Sequence, residues 1–377
     1  MKIYEFSNGD TVHKYKKCIV IRFHGKRNVL STCPNNGGFR TDLHAVFNND
    51  ANPGSGMAIQ LRADTYREHM DILAREDLGL DVSSTAGLMT AASMENAAIS
   101  SLSYPHGSQT CTVTAITTAG VRNNGGRIGD PASWSELSES SFASAVTPGT
   151  INILLSIDAN LSEDAMASAL VSCAEAKAAA MQELMIPSRF SCGLATGTGT
   201  DGVIVISNAQ SDIRLTNAGK HSKLGECIGR TVLSSIKEAL KRQQEMTPDS
   251  QHDVLHRLGR FGVTEDSLWD CYQKSGGTVC RADFSDCLDS KKRDNTLVTY
   301  ASLYAHLLDE LNWGLLSLKE CRIAADHLLA GSGLEIPPAD LEYSFYSDDS
   351  TLRPEMQSLV SQYLLAFTQY LAHALSD

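Results

Sequence analysis

Two short apolar runs, Ile151–Ile157 (INILLSI) and Val203–Ser207 (VIVIS), flank a long segment of helical character. No other feature of the chain limits its fold as tightly. Both runs are β-branched and bounded by turn residues, which reads as strands. Neither alternates polar with apolar residues, so both faces of each strand should be covered. Between them, Met166, Leu170, Cys173 or Ala174, Ala178, Met181 and Met185 recur at helical spacing. Ser162 stands at the N-cap position, with Glu163 and Asp164 in a first turn where acids favour the helix dipole. Leu161 and Met166 have the spacing of a hydrophobic staple, and Pro187 stops the run. Strand, helix and strand together are consistent with an α/β unit. Strand order and direction are left open.

Cys18–Phe23 (CIVIRF) and Thr112–Thr118 (TVTAITT) read as further strands. A second long helix is expected over about Ser222–Arg242, and another near Asp64–Asp77. From about residue 246 onward the character changes, and only helical segments follow, near 249–260, 264–275, 296–330 and 355–375. The polar stretch Gln243–Asp249, broken by Pro248, is the expected joint. The expected fold class is therefore α/β, a layered sandwich of mixed β-sheet and long helices, with an all-helical C-terminal extension. Residues 1–245 read as one domain, whose role waits on the motifs below, and residues 246–377 as an extension of unassigned role.

Charge and cysteine content narrow the function classes. The formal net charge is −12, which repels a phosphate backbone and argues against nucleic-acid binding. Ten cysteines are present without a C-x-x-C pair, so neither a zinc ribbon nor a thioredoxin-type site is signalled. Cys173 and Cys227 fall within apolar helical patterns, where a reduced thiol acts as a small hydrophobe. We read a reducing, cytoplasmic setting. The N-terminal residues have no apolar stretch of signal-peptide length, and no run is long enough for a membrane span.

Five polar, glycine-containing stretches carry the candidate chemistry: LSTCPNNGG (30–38), TAASMEN (90–96), AGVRNNGGRIGD (119–130), ATGTGTDG (195–202) and AGKHSKLGE (218–226). Loops held on a rigid scaffold are where binding groups collect. Gly197, Gly199 and Gly202 spell G-x-G-x-x-G. A dinucleotide fingerprint follows a strand and opens a helix, whereas here a helix precedes and a strand follows, so that reading fails. What remains is a tight loop of Thr196, Thr198 and Thr200 ending in Asp201, open to ligand approach or serving as a plain connection. Gly219-Lys220 lacks the first glycine and the Ser/Thr of a phosphate-binding loop. Lys220 and His221 would still stand at a helix start, as an anion-favouring acid–base site or as a solvated helix end. Asn124 can donate to an oxyanion or a carboxamide, or simply shape a turn beside an Arg127–Asp130 surface pair. Glu95 is a candidate carboxylate or an exposed helix residue. Asn36 and Gly37 repeat the amide-plus-turn theme, and Ser31 is a nucleophile or a turn hydroxyl. His252 and His256 lie four apart without a third ligand, which favours a solvated helix face. Cys280 and Cys287 read as packing residues.

Taken in order, these stretches resemble the adenosylcobinamide amidohydrolase family of corrinoid salvage. The resemblance is carried by LSTCPNNGG, GLMTAASMENAA, TVTAITTAGVRNNGGRIGDP, GTINILLSIDANLSEDAM, AEAKAAAMQELMIPSRFSCGLATGTGTDGVIV and AGKHSKLGECIGR, across about residues 18–235. It implies hydrolysis of the amide that joins the corrin carboxylate to aminopropanol, releasing adenosylcobyric acid. The corrinoid and its cobalt are then substrate. No cofactor of the protein is implied, and a protein-bound metal finds no support in ligand spacing. The alternatives are a corrinoid carrier or sensor without hydrolysis, and an amide hydrolase that uses the same scaffold on an unrelated substrate. The resemblance brings no catalytic residue set, so roles rest on chemistry. His221, helped by Lys220, is the expected acid or base, with Asp201 or Glu95 sharing the proton work and Thr198 the nucleophile of any covalent path. Asn36, Gly37, Asn124, Arg127, Asp130, Thr196, Gly197 and Gly199 are expected to hold the oxyanion or the ring amides. The helical extension would cap the pocket, form a homodimer interface or meet a transport partner.

Overall fold

The computed structural model describes residues 1–54, 57, 59–132, 149–337 and 352–376. The chain divides into two compact units, Met1–Ile186 with Ala195–Thr247, and Pro187–Leu194 with Pro248–Asp377.

The first unit is layered because its strands bury both faces. One sheet has the order β1-β2-β3-β6-β7, formed by Lys2–Glu5, Thr11–Tyr15, Cys18–Arg22, Ala45–Asp50 and Thr85–Thr90. The other has the order β5-β4-β14-β11-β9-β8, formed by Gly38–Arg40, Arg27–Ser31, Gly202–Asn208, Ile151–Ile157, Gln109–Ala119 and Ala98–His106. Successive side chains on a strand point to opposite faces. On β3, Ile19 and Ile21 therefore meet Ile116, Leu154 and Ile204 of the second sheet. Cys18 and Val20 turn the other way, onto Met70, Leu73 and Ala74 of helix α1 (Tyr66–Ile72) and the turn after it. The second sheet repeats the pattern. Its Ile153, Leu155 and Val205 pack on Met166 and Cys173 of α2 (Glu163–Glu183) and on Ile228, Val232 and Ile236 of α3 (Lys223–Gln244). The layer order is helix, sheet, sheet, helices, an α/β sandwich with mixed sheets. β11 and β14 run parallel, joined through α2, as a strand–helix–strand unit requires. β10 (Gly125–Gly126) and β13 (Gly197–Thr198) form a small antiparallel ribbon, and β12 (Asn160–Leu161) and β15 (Arg214–Leu215) a second, parallel one.

Among the described residues of the second unit all regular elements are helical: α4 (Val254–Leu258), α5 (Glu265–Lys274), α6 (Arg281–Lys291), α7 (Asn295–Trp313), α8 (Leu318–Gly331) and α9 (Pro354–Ser376). The single helix expected over 296–330 is two helices. Gly314 takes a left-handed φ of 73 that ends α7, and a Ser317–Glu320 capping box starts α8. Helix α6 was not visible in the sequence, because its apolar positions, Phe284 and Leu288, are few. Phe261, Phe284, Tyr304 and Phe367 anchor the core. Arg260 is held by Asp309 at 2.5 and 2.6 Å and by the Cys192 carbonyl at 2.6 Å. His252 bonds Asn295 and His256 bonds the Ser250 carbonyl, so the two rings serve separate local contacts. Cys287 packs half-buried, whereas Cys280 is exposed at the start of α6, against the packing role expected for it. All ten cysteines are free thiols. Among the described residues, no helix is long and apolar enough to cross a membrane.

Candidate active site

The β10–β13 ribbon draws two of the polar stretches into one place. Gly125 pairs with Thr198 and Gly126 with Gly197. The Thr196 N–H donates to the Gly126 carbonyl at 2.8 Å, and the Thr196 hydroxyl accepts from the Ile128 N–H at 2.9 Å. Asn124 is buried and donates to the Gly149 carbonyl at 3.0 Å. Arg127 and Asp130 close the adjoining turn, where the Asp130 carboxylate accepts the Arg127 N–H at 2.7 Å.

Asp201 is the hub of this cluster. Its carboxylate accepts from the Thr198 hydroxyl at 2.5 Å, from the Thr198 N–H at 2.9 Å and from the Ile151 N–H at 2.9 Å. Its fourth partner is the Lys177 ammonium, projected from α2. The Asp201 side chain is 8% exposed and that of Lys177 16%, so the pair is largely screened from water. The glycines explain themselves here. A Cβ on Gly197 would lie 2.3 Å from an Asp201 carboxylate oxygen and 2.8 Å from the Lys177 nitrogen. A Cβ on Gly202 would lie 2.6 Å from Leu88 and 2.8 Å from the Asn152 side-chain oxygen. Gly199 meets only Asn124, at ordinary contact distance.

Behind the loop stands a buried amide relay between the two sheets. Asn152 donates to Asn48 at 2.7 Å and to the Met89 carbonyl at 3.0 Å, and Asn48 donates to the Thr118 hydroxyl at 2.8 Å. Asn48 and Asn152 are fully buried, and Thr118 nearly so. Asn152 follows Ile151, whose N–H binds Asp201, so the relay fixes the strand end on which the carboxylate rests.

The other predicted residues lie elsewhere. Asn36 has both amide donor bonds directed to backbone, the Val82 carbonyl at 2.7 Å and the Thr85 carbonyl at 2.8 Å. Its neighbour Asn35 accepts the Gly87 N–H at 3.0 Å. Together they seal the outer edge of β7, where an open strand edge would invite pairing with another chain. Gly37 is required there, because a Cβ would lie 2.2 Å from the Cys33 carbonyl oxygen. Asn36 and Gly37 are thus structural groups, not members of the cluster. Ser31 is buried on β4 and belongs to the sheet.

His221 and Lys220 also stand apart. His221 is exposed before the first turn of α3, and Lys220 pairs with Glu175 at 2.9 Å. Lys220 borders a groove between α2 and α3 with Gly225 and Arg230. At the other end of α3, Gln243 accepts from Ser93 and Asn96, and Gln244 accepts from the Val121 N–H. The helix has 22 residues, so its ends are about 30 Å apart. Glu95, exposed and paired with Lys14, therefore sits far from His221. A single cleft containing Asn36, Glu95, Asn124, Asp201 and His221 does not form. The structure unites Asn124, Thr196, Gly197, Thr198, Gly199 and Asp201, with Arg127 and Asp130 on the adjoining turn.

The same stretches decide the relationship of the chain to known proteins. Its residues 3–248 match the adenosylcobinamide amidohydrolase family. The chain belongs to that family. It is 33% identical over 239 residues to the uncharacterized protein MJ1613 of Methanocaldococcus jannaschii, covering 61% of this chain and 88% of that protein. Among solved structures, the PH0078 protein from Pyrococcus horikoshii OT3 is 13% identical over 60% of this chain and 77% of its own, with a TM-score of 0.30, too slight a likeness to carry an argument.

The family match takes in all five polar stretches and stops at residue 248. Within it, Lys177 escaped the sequence reading because it lies in mid-helix among alanines, where a lysine reads as solvated surface. Asn48 and Asn152 escaped because each sits inside a strand. An asparagine within a buried apolar run is the signal that was available for Asn152. Among the described residues, no group of three His, Cys, Asp or Glu side chains converges to hold a metal ion.

Proposed function

We propose that the protein hydrolyses the aminopropanol amide of adenosylcobinamide to give adenosylcobyric acid, using the Thr198–Asp201–Lys177 cluster. The family match over residues 3–248 carries this reading. The cluster supplies the chemistry that amide hydrolysis needs, a nucleophile with a proton acceptor beside it and donors for a developing oxyanion. The Thr198 oxygen attacks the amide carbon as its proton passes to the Asp201–Lys177 pair. Asn124 directs one amide N–H to Gly149 and offers the other to the oxyanion. The tetrahedral intermediate expels aminopropanol when the proton returns to nitrogen, leaving an ester on Thr198. Water then cleaves the ester and releases the carboxylic acid.

One observation favours the alternative of a corrinoid carrier or sensor. Asp201 already accepts four hydrogen bonds, as a carboxylate does when its task is to brace a loop. The two readings part in one experiment. Purified protein is incubated with adenosylcobinamide, and adenosylcobyric acid and free aminopropanol are measured. Equimolar release of both is expected. Tight binding of the corrinoid with neither product, with and without added divalent metals, favours the carrier.

A further inference from the structure

A second polar site lies on the outer face of the first sheet, at the end of β6. There an open cavity of about 420 Å³ is lined by the turn after β2, the end of β6 and the turn that follows α1. Two side chains in its wall are more than nine-tenths buried and keep a polar atom without a partner among the described residues. His69 accepts the Arg62 N–H on Nδ1 at 3.0 Å. The neutral ring then carries its proton on Nε2, which donates to nothing among the described residues. Burial foremost, with the nearby Arg62 guanidinium, pushes the imidazole below its usual range and so keeps it neutral. Asn49 donates from Nδ2 to the Cys18 sulfur at 3.1 Å, and its Oδ1 accepts from nothing among the described residues. The wall thus offers one donor and one acceptor, each carried on a buried side chain.

The charges decide what kind of ligand suits this pair. The Arg62 guanidinium is already held by Asp77 and Glu76, both at 2.5 Å. The Lys17 ammonium donates to the Asn52 carbonyl at 2.7 Å. The Asp50 carboxylate stands on the same wall and feels the Lys17 charge. The near-neutral balance and the Asp50 carboxylate make the cavity a poor phosphate site. They suit a neutral group with an acceptor beside a donor, the pattern of an adenine edge or a primary carboxamide. The volume is within the range of small-molecule pockets. The helix beside it ends in a single π-turn, with the Leu78 N–H bonded to the Leu73 carbonyl, and such turns recur at functional sites.

We propose that this cavity is a recognition site for an amide-type edge, read by His69 and Asn49, and that in the protein's substrate this edge is the adenine of the adenosyl group. The identity of the occupant rests on the hydrolase reading, while the chemistry of the cavity does not. The cavity lies at the same end of the sandwich as the cluster. Ala51 bonds the Thr90 carbonyl, and Met89 beside it accepts from Asn152, next to the strand end that holds Asp201. One strand spacing and one sheet spacing place the two sites on the order of 15 Å apart.

The test reads binding without turnover. Adenosine, and separately cobinamide without an adenosyl group, are titrated into the full-length protein while the His69 imidazole resonances are followed by NMR. Adenosine is expected to shift them, and in calorimetric titrations to bind at least about tenfold more weakly to His69→Phe and to the rim variant Asp50→Asn. A shift with the non-adenosylated corrinoid alone supports the same site with a ring carboxamide as its occupant. No shift with either ligand overturns the proposal, and so does adenosine binding that both variants leave unchanged. Adenosine binding at His69 without corrinoid hydrolysis sinks the hydrolase reading and leaves this site standing. Hydrolysis of adenosylcobinamide with no response at His69 does the reverse.

Discussion

The sheet-containing unit and the helical unit treat buried polar groups differently. In the first, amides and hydroxyls sit between two sheets, where Asn48, Asn152 and Thr118 bond one another and brace the end of β11. In the second, aromatic and aliphatic side chains fill the core, and the Arg260–Asp309 pair is its main buried ionic contact. A core of the second kind is tolerant, because apolar contacts are non-directional. A core of the first kind is demanding, because an amide that loses its partner costs the full desolvation of the group left behind. The strand end beneath the loop cluster is therefore among the demanding parts of the first unit's core.

Four measurements sharpen or break that contrast. The largest effect is expected for Thr198→Ala. Loss of the hydroxyl beside Asp201 should lower the rate of aminopropanol release by about 10²–10⁴-fold, read by product assay. A variant that keeps most of its rate removes Thr198 from the chemistry. Next comes Phe367→Ala in the helical unit. Truncating this fully buried ring should cost about 3–5 kcal/mol, measured by denaturant unfolding. Asn152→Ala should cost less, about 1–3 kcal/mol, because it leaves Asn48 short of one donor. It should nevertheless reduce product release, since Asp201 rests on the neighbouring Ile151 N–H. A loss of stability at Asn152 with full activity would undo the link between the relay and the site. The smallest effect is expected for His221→Ala. Exposed and at the far end of α3 from Glu95, it should leave the rate within about threefold of wild type, under about 1 kcal/mol of barrier.

Several elements were legible because their signals are local. The runs at 18–23, 112–118, 151–157 and 203–207 are strands, as their β-branched character indicates, and α2 and α3 begin within a residue or two of Ser162 and Ser222. The strands β1, β2 and β7 were harder to see. They mix charged, small and polar residues, and what makes them strands is pairing with partners distant in sequence. The G-x-G-x-x-G stretch shows the same division. Its rejection as a dinucleotide motif needed only the order of helix and strand. That Gly197 makes room for Asp201 and Lys177 needed coordinates.

By itself the sequence determined the two-part character of the chain, the strand–helix–strand unit and the family, because each rests on periodicity or on ordered short segments. Only the tertiary structure decided which polar stretches act together. Whether an asparagine seals a strand edge, as Asn36 does, or faces a loop cluster, as Asn124 does, depends on which backbone groups lie within about 3 Å of its amide. That proximity comes from sheet pairing across tens of residues. No local pattern encodes it, and so His221 and Glu95 could look like neighbours until a helix of 22 residues was found to span the distance between them.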